Sequence, residues 1–169
     1  VDLKSYASVR VITREEKIMN TVFSVLLIGV GATALMDLWG VVRKPLLGMP
    51  LPSYTMMGRW IGHMGQGRFR HEAIGAASPI PGESLIGWSA HYLIGIAFAA
   101  LLIATQGQDW LLAPTPGPAL ALGLVTVAAP FLVMQPCMGA GIAASRTPHP
   151  ASARVHSLIN HAVFGLGLY

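Results

Sequence analysis

Four hydrophilic side chains interrupt otherwise apolar stretches of the sequence: Asp37, His91, Gln135 and His161. A carboxylate and an imidazole can exchange a proton, and an imidazole can also bind a metal ion or a haem iron. An ionised carboxylate among apolar groups is costly unless other groups compensate its charge. We therefore expect Asp37 to face other protein groups and to have a partner, or to be protonated.

The candidate partners of Asp37 follow from its position in the first apolar segment. His91 and His161 are the nearest candidates by depth. Two other arrangements remain open. The carboxylate could extend to the lipid headgroups, as long polar side chains do, or Arg59 or Lys44 could fold back onto it.

The composition defines the class of protein that must position these groups. The chain has 169 residues, of which 53% are hydrophobic and only 11% are charged, and its mean hydropathy is +0.58. These values lie outside the usual range of soluble globular domains. We therefore expect an integral membrane protein, with the lipid bilayer as its first partner.

A helix needs about 20 mostly apolar residues to cross a bilayer. Four segments approach this length, at about 21–42, 85–105, 118–138 and 153–169. They predict an all-α bundle of four transmembrane helices in one domain, 21–169. The fourth segment is short, and we expect its end to lie beyond Tyr169. Residues 1–20 form an N-terminal tail, and Met19 would be a natural start just before the first helix.

Lysine and arginine residues predict the orientation of the bundle. The first loop, 43–84, holds five of them and the third loop two, whereas the second loop holds none and the N-terminal tail four. If the chain is counted from Met19, the first and third loops together hold seven lysine and arginine residues, and the tail and the second loop hold none. Positive loops stay in the cytoplasm, so the first and third loops are predicted to be cytoplasmic. Anionic lipid then accounts for the basic pI, and nucleic acid is not needed as a partner.

The four hydrophilic residues are predicted to share one level of the bundle. At 1.5 Å rise per residue, Asp37 lies roughly 9 Å above Arg43 and His91 roughly 12 Å above Glu83. His161 lies roughly 10 Å above Arg154, in the same layer. Gln135 joins this polar layer if the third helix continues past Pro136. Each helix then contributes one polar group at a similar depth.

The first loop contains a short helix that begins near Ser53. Tyr54, Met57, Ile61 and Met64 share one face of it, while Arg59 and His63 are predicted to point elsewhere. Such a helix is predicted to lie on the membrane surface. The loop also offers candidates for an anion site, although the pattern favours a cationic loop at the membrane interface over such a site. These candidates are Arg59, His63, Arg68, Arg70 and His71.

Small residues flank two of the histidines by one helical turn. Gly87 and Gly95 lie on the stripe of His91, and Ser157 and Gly165 on that of His161. This pattern has two explanations. It allows close helix packing, or it leaves room for a planar ring such as haem or a (bacterio)chlorophyll above a ligating histidine.

A metal site is a weaker possibility near the same layer. Sulfur and imidazole together suit copper(I) or iron. However, the sequence has no CxxC, HExxH or ExxH spacing, and methionine often fills cores. The single cysteine also excludes an internal disulfide. The candidate ligands are His91, His161, Met134, Cys137 and Met138.

Several longer strings resemble a known family. They are GVGATALMDLW, GRWIGHMGQGRFRH, PGESLIGWSAHY, AAPFLVMQPCMGAGIAASRTP and HAVFGLGLY. Together they are similar to small bacterial inner-membrane proteins of the domain of unknown function 2938, over Met19 to Tyr169. The resemblance implies a four-helix protein of the bacterial inner membrane and no particular activity. In this family the first helix usually begins close to the initiator methionine, so the 18 residues before Met19 depart from the pattern.

The sequence thus favours a non-enzymatic role, as a binding protein or an accessory subunit of a larger membrane complex or homo-oligomer. The polar layer would be its site, with a tetrapyrrole or a metal ion as a possible ligand. One alternative is a proton-coupled carrier of small solutes that uses Asp37. Another is a membrane enzyme acting on a lipid-soluble substrate, with His91 or His161 as its base.

Overall fold

The computed structural model describes residues 14–48 and 51–169, and all regular structure within these ranges is helical. The predicted all-α class is therefore confirmed. Six α-helices follow one another along the chain: α1 Arg14–Leu47, α2 Tyr54–Met64, α3 Glu83–Gln106, α4 Pro116–Val125, α5 Gln135–Cys137 and α6 Pro150–Leu168. Short 3₁₀ turns occur at Ile74–Ala76, Gln108–Leu111 and Ile142–Ala144, and one π-helical turn at Pro130–Met134.

Within 14–48 and 51–169, three helical segments, not the predicted four, are long and apolar enough to cross a membrane. They are Arg14–Leu46, Glu83–Gln106 and Pro116–Cys137. The helix predicted at 153–169 begins instead at Pro150, and it carries Arg154, His156, Asn160 and His161 among its apolar residues. Because of these four polar side chains, α6 is less apolar than the three segments that could cross a membrane. α6 nevertheless packs against α1 and α4.

The first helix is longer than the apolar segment that predicted it. It begins at Arg14 rather than at Thr21 and continues to Leu47. Its polar beginning is compatible with a helix, because Arg, Glu and Lys are good helix formers and Glu15 and Glu16 favour the first turn. Of the predicted tail, 1–13 lies outside the described residues. The remainder belongs to α1.

The third predicted helix, 118–138, is interrupted. α4 ends at Val125, and a π-helical turn at Pro130–Met134 precedes the short α5. Proline has no backbone N–H and cannot make the regular helical hydrogen bond. Pro130 and Pro136 therefore break the regular pattern, and the wider turn accommodates them.

Close glycine contacts hold the long helices together. A Cβ atom on Gly29 of α1 would lie 2.5 Å from the Ile96 Cα atom of α3. Gly123 of α4 is similarly close to the backbone of Gly165 in α6, and Gly167 is close to Ala32 of α1. The buried cluster beside these contacts consists of Ala32, Ala99, Leu102, Ile103, Trp110, Ala119, Phe164 and Leu168.

The outer faces of the helices are strongly apolar. Phe23 of α1, Leu93 of α3 and Leu132 of the π-helical turn are each more than 60% exposed. Soluble monomers rarely expose contiguous apolar surfaces of this kind. These outer faces are compatible with an apolar surrounding medium.

The glycine contacts lead to a prediction about stability. Gly29→Ala should lower the free energy of unfolding by about 1–3 kcal/mol, because the added methyl group meets the backbone of α3. Gly31→Ala is the matched control on the same helix, since a Cβ atom there meets nothing within 4 Å. It should be neutral or slightly stabilising because alanine favours helices. Unfolding of both variants in detergent, followed by circular dichroism, measures the difference; equal stabilities would contradict the prediction.

Candidate binding site at Asp37

Three side chains donate hydrogen bonds to the carboxylate of Asp37. Its Oδ1 atom accepts from the Tyr54 hydroxyl at 2.7 Å and from His91 Nε2 at 3.0 Å. Its Oδ2 atom accepts from the Tyr92 hydroxyl at 3.1 Å. Asp37 thus joins α1 to both α2 and α3. Hydrogen bonds to a charged acceptor are stronger than neutral ones, so this group stabilises the junction of three helices.

Helix α2 reaches Asp37 because it runs antiparallel to α3 at very short range. A Cβ atom on Gly58 would collide with the Glu83 carbonyl, and one on Gly87 with the Tyr54 carbonyl. Ser53 caps the start of the helix by accepting from the Met56 N–H. With two glycines at the crossing, the first turn of α2 lies beside His91.

An ion pair fixes the other end of α2. Arg59 Nε and Nη2 donate to the two carboxylate oxygens of Glu83 at 2.8 and 2.7 Å. Arg59 Nη1 also donates to the Ala77 carbonyl at 3.1 Å. The paired carboxylate of Glu83 raises the pKa of Arg59 above its ordinary value. This two-pronged geometry suits arginine rather than lysine.

Tyr54 also contacts the imidazole of His91 face to face. The two ring centroids are 4.0 Å apart and the planes are inclined by 23°. Burial and the Asp37 carboxylate raise the pKa of Tyr54 well above its ordinary value. The hydroxyl therefore stays protonated at physiological pH and remains a donor to Asp37.

A cavity of about 110 Å³ lies beside this carboxylate. Asp37, Tyr54, Trp88 and Asn160 give its wall polar and aromatic character, and the other lining residues are Met36, Gly40, Val41, Leu51 and Pro52. The Oδ1 atom of Asn160 is buried and has no hydrogen-bond partner among the described residues.

The cavity wall therefore favours a ligand that donates hydrogen bonds. A carboxylate can accept about four hydrogen bonds, and Asp37 accepts three within the protein. The Asn160 Oδ1 atom is a second acceptor on the same wall. The faces of aromatic rings also attract cations. A small molecule with a protonated amine fits these features better than an anion does.

Of the predicted polar layer, Asp37 and His91 lie together, whereas His161 has a different partner. Its Nδ1 atom lies 2.8 Å from the Thr126 hydroxyl, which donates to the Gly123 carbonyl. Each residue of a helix is rotated by 100° from the one before. Asn160 consequently lines the cavity beside Asp37, while His161 faces α4.

Gln135 and the sulfur-containing residues near it lie beside a different loop. The carbonyls of Cys137 and Met138 accept from the backbone N–H groups of His71 and Ile74, at 2.8 and 3.1 Å. The Oε1 atom of Gln135 is buried without a hydrogen-bond partner among the described residues. No described hydrogen bond joins Gln135 to Asp37. Within the described part of the chain, no three His, Cys, Asp or Glu side chains converge into a metal site.

The glycines around the two predicted ligand histidines are occupied by helix packing. Gly87 meets the backbone of α2, and Gly95 meets Thr33 and Gly29 of α1. Gly165 likewise meets the backbone of α4. At His91, moreover, Asp37 engages the Nε2 atom and Tyr54 covers a ring face. Of the two explanations for these stripes, helix packing is the one that the structure displays.

The candidates for an anion site lie in different surroundings. Arg59 and His63 are buried, at 8% and 2% exposure, although the sequence placed both on a face away from the packed one. They are buried because the glycine crossing brings α2 onto α3. Arg59 is paired with Glu83, so its charge is already compensated. Arg68 and Arg70 are exposed, and His71 is partly buried.

Sequence reasoning missed three members of the site: Tyr54, Tyr92 and Asn160. Tyr92 follows His91 directly, so its proximity to Asp37 could have been considered. Tyr54 was assigned to the apolar face of α2, and nothing in its local pattern relates it to Asp37. Asn160 precedes the more conspicuous His161 and lies on another side of the helix.

Over the described residues, the fold and the site together define an all-helical protein with three helices apolar enough to cross a membrane and a partly buried aspartate held between helices. The chain belongs to the family described as Protein of unknown function (DUF2938), whose model matches residues 26–169. No curated protein and no solved structure matches the chain.

The hydrogen bonds to Asp37 lead to a second prediction. Tyr54→Phe should lower the free energy of unfolding by about 1.5–3 kcal/mol, because it removes a donor to a charged carboxylate. Tyr169→Phe provides a control, since Tyr169 is 57% exposed and should tolerate the change. Denaturation of the purified variants in detergent measures both. A stable Tyr54→Phe protein would mean that the hydroxyl contributes little.

The Arg59–Glu83 pair leads to a third prediction. Glu83→Gln should loosen α2 from α3, because one guanidinium loses its carboxylate partner. Backbone amides of 54–64 should then exchange hydrogen faster in hydrogen–deuterium exchange measured by mass spectrometry. Glu72→Gln is the control, since Glu72 is exposed in the same loop. Unchanged exchange in the Glu83 variant would show that the glycine crossing alone holds α2.

Proposed function

We propose that this protein is a membrane protein that binds a small molecule bearing a protonated amine beside Asp37. The observation that carries the proposal is the partly buried Asp37 carboxylate on the wall of the 110 Å³ cavity. The role is binding rather than catalysis, in agreement with the sequence-based expectation of a non-enzymatic protein.

The chemistry of the wall supports an organic ammonium ligand. Asp37 offers charge and its remaining hydrogen-bonding capacity, and Asn160 offers a carbonyl oxygen without a described partner. Trp88 and Tyr54 supply aromatic surface, with ring centroids 4.5 Å apart. The apolar part of the ligand would contact Met36, Val41 and Leu51. A cavity of this size accepts only a few non-hydrogen atoms, so the ligand is small or enters with one end.

A location in the bacterial inner membrane is part of the proposal. Three helices have the length and composition for it, and exposed apolar residues cover their outer faces. We further propose that α6 completes the bundle as a fourth helix, with Asn160 on the side of α1 and His161 on the side of α4. The distribution of lysine and arginine favours cytoplasmic first and third loops.

A proton-coupled carrier is the second candidate function. The contact between His91 Nε2 and Asp37 Oδ1, at 3.0 Å, favours it. An imidazole and a carboxylate in contact can share or transfer a proton. Buried ionisable groups of this kind occur along proton pathways in membrane transporters. Such a carrier would exchange its protonated amine or another small solute for protons at Asp37.

Calorimetric titration in detergent tests the binding function. Short alkylamines should bind the wild-type protein more tightly than alcohols of the same chain length. Asp37→Asn should weaken amine binding by about 10–100-fold, because it removes a charge-assisted hydrogen bond. Alcohol binding should change much less. Asp109→Asn is the control, since it removes an exposed carboxylate elsewhere.

Two results would contradict the binding proposal. One is equal affinity for amines and alcohols in the wild-type protein. The other is unchanged amine affinity in Asp37→Asn. Circular dichroism establishes that the variant is folded, so that a loss of binding is not a loss of structure.

Proteoliposomes distinguish the carrier from the binding protein. A carrier should accumulate a radiolabelled amine in response to an imposed pH gradient, and Asp37→Asn should abolish this uptake. A binding protein should bind the amine without accumulating it. Vesicles that contain the Asp109→Asn protein provide the matched control.

A further inference from the structure

Two histidines outside the Asp37 site lie side by side with unpartnered ring nitrogens. His63 lies in the last turn of α2, and His71 lies in the loop that follows this helix. Their ring centroids are 5.0 Å apart and their planes are inclined by 61°. His63 is only 2% exposed. The Asp37 site uses neither residue.

The hydrogen bond of His63 determines which of its nitrogens carries the proton. Its Nε2 atom lies 3.0 Å from the Ser78 carbonyl oxygen. A carbonyl oxygen can only accept, so Nε2 carries the hydrogen and the Nδ1 atom of the neutral ring bears a lone pair. That Nδ1 atom is buried and has no hydrogen-bond partner among the described residues. A buried acceptor without a partner is costly and calls for an explanation.

His71 offers a second lone pair next to the first. Both of its ring nitrogens are buried without a hydrogen-bond partner among the described residues. Burial lowers the pKa of His71, and the neighbouring His63 and Arg68 lower it further. In a neutral imidazole one of these two nitrogens is an acceptor.

The backbone holds both rings in place. The His71 N–H donates to the Cys137 carbonyl at 2.8 Å, which fixes the loop to the end of α5. Gly139, at φ +96°, lies so close to the Glu72 carbonyl that a Cβ atom would collide with it. On the other side, Gly62 of α2 packs directly against the side chain of Ile80. The spacing of the two imidazoles is thus set by packed backbone.

This spacing suits a metal ion bound between the rings. A zinc ion about 2.0–2.1 Å from each nitrogen, with a tetrahedral angle between them, places two imidazole centroids roughly 5 Å apart. The hydrogen bond from His63 Nε2 to a carbonyl is also the usual outer contact of a metal-binding histidine, because it orients the ring and makes the ligating nitrogen more basic. Two imidazole lone pairs in neighbouring rings repel an anion and attract a cation.

We propose that His63 and His71 together bind a transition-metal ion of intermediate softness, with Zn²⁺ as the simplest representative. Within the described residues no third His, Cys, Asp or Glu converges with them, so water or an external ligand would occupy the remaining positions. Two nearby charged side chains have opposite effects on the binding of a cation. Glu83 lies near His63 but is paired with Arg59, and Arg68 lies near His71.

Metal titration of the full chain in detergent tests this proposal. After treatment with a chelator, the wild-type protein should bind one equivalent of Zn²⁺ by calorimetry. His71→Ala should weaken binding at least about 10-fold, since it removes one of two protein ligands. His149→Ala is the matched control, because His149 is exposed and distant in sequence. It should leave the affinity unchanged.

A spectroscopic measurement identifies the ligands independently of affinity. Bound Cu²⁺ should give an electron paramagnetic resonance spectrum with hyperfine splitting from two imidazole nitrogens in the wild-type protein and from one in His71→Ala. His71 is only partly buried, so its variant avoids the folding risk of changing His63. Absence of metal binding in the wild-type protein would overturn the proposal. Binding that survives unchanged in His71→Ala would also overturn it and would indicate an adventitious ion only.

Discussion

The carboxylate of Asp37 imposes the main constraint on this fold. It lies in a helix whose other residues are largely apolar, and it needs hydrogen-bond donors that its own helix cannot supply. Tyr54, His91 and Tyr92 supply them from α2 and α3. Tyr54 can approach only because α2 packs antiparallel on α3. The position of this short helix and the environment of the carboxylate therefore depend on each other.

Glycine makes this arrangement possible wherever two backbones must come close. Gly58 and Gly87 let α2 cross α3, Gly29 and Gly95 join α1 to α3, and Gly123 and Gly165 join α4 to α6. Apolar side chains alone would give these helices little reason to choose one register in an apolar medium. Small residues permit close van der Waals packing there, and a few hydrogen bonds then fix the register. The polar groups and the glycines thus act on the same contacts.

The sequence was sufficient for the class of the fold and for part of the site. Apolar runs located three long helices, and the spacing in the first loop located α2, because both signals are local. The π-helical turn before α5 was missed, since Pro130 and Pro136 lie within a largely apolar run that resembles a continuous helix. Depth along a helix brought Asp37 and His91 to one level, but it contains no information about rotation. Depth alone therefore could not predict that Asn160, rather than the adjacent His161, lines the cavity. Tyr54 could not be foreseen either, because it comes from a helix in the loop.

The hydrogen bonds of Asp37 have a consequence for biogenesis. The acceptor belongs to α1, whereas every protein donor belongs to segments that the ribosome makes later, beginning with Tyr54 of α2. While α1 is the only completed helix, its carboxylate has none of these donors and must be protonated or remain in contact with water. In the proposed membrane location, full insertion of the first helix would therefore be coupled to the synthesis of α2 and α3.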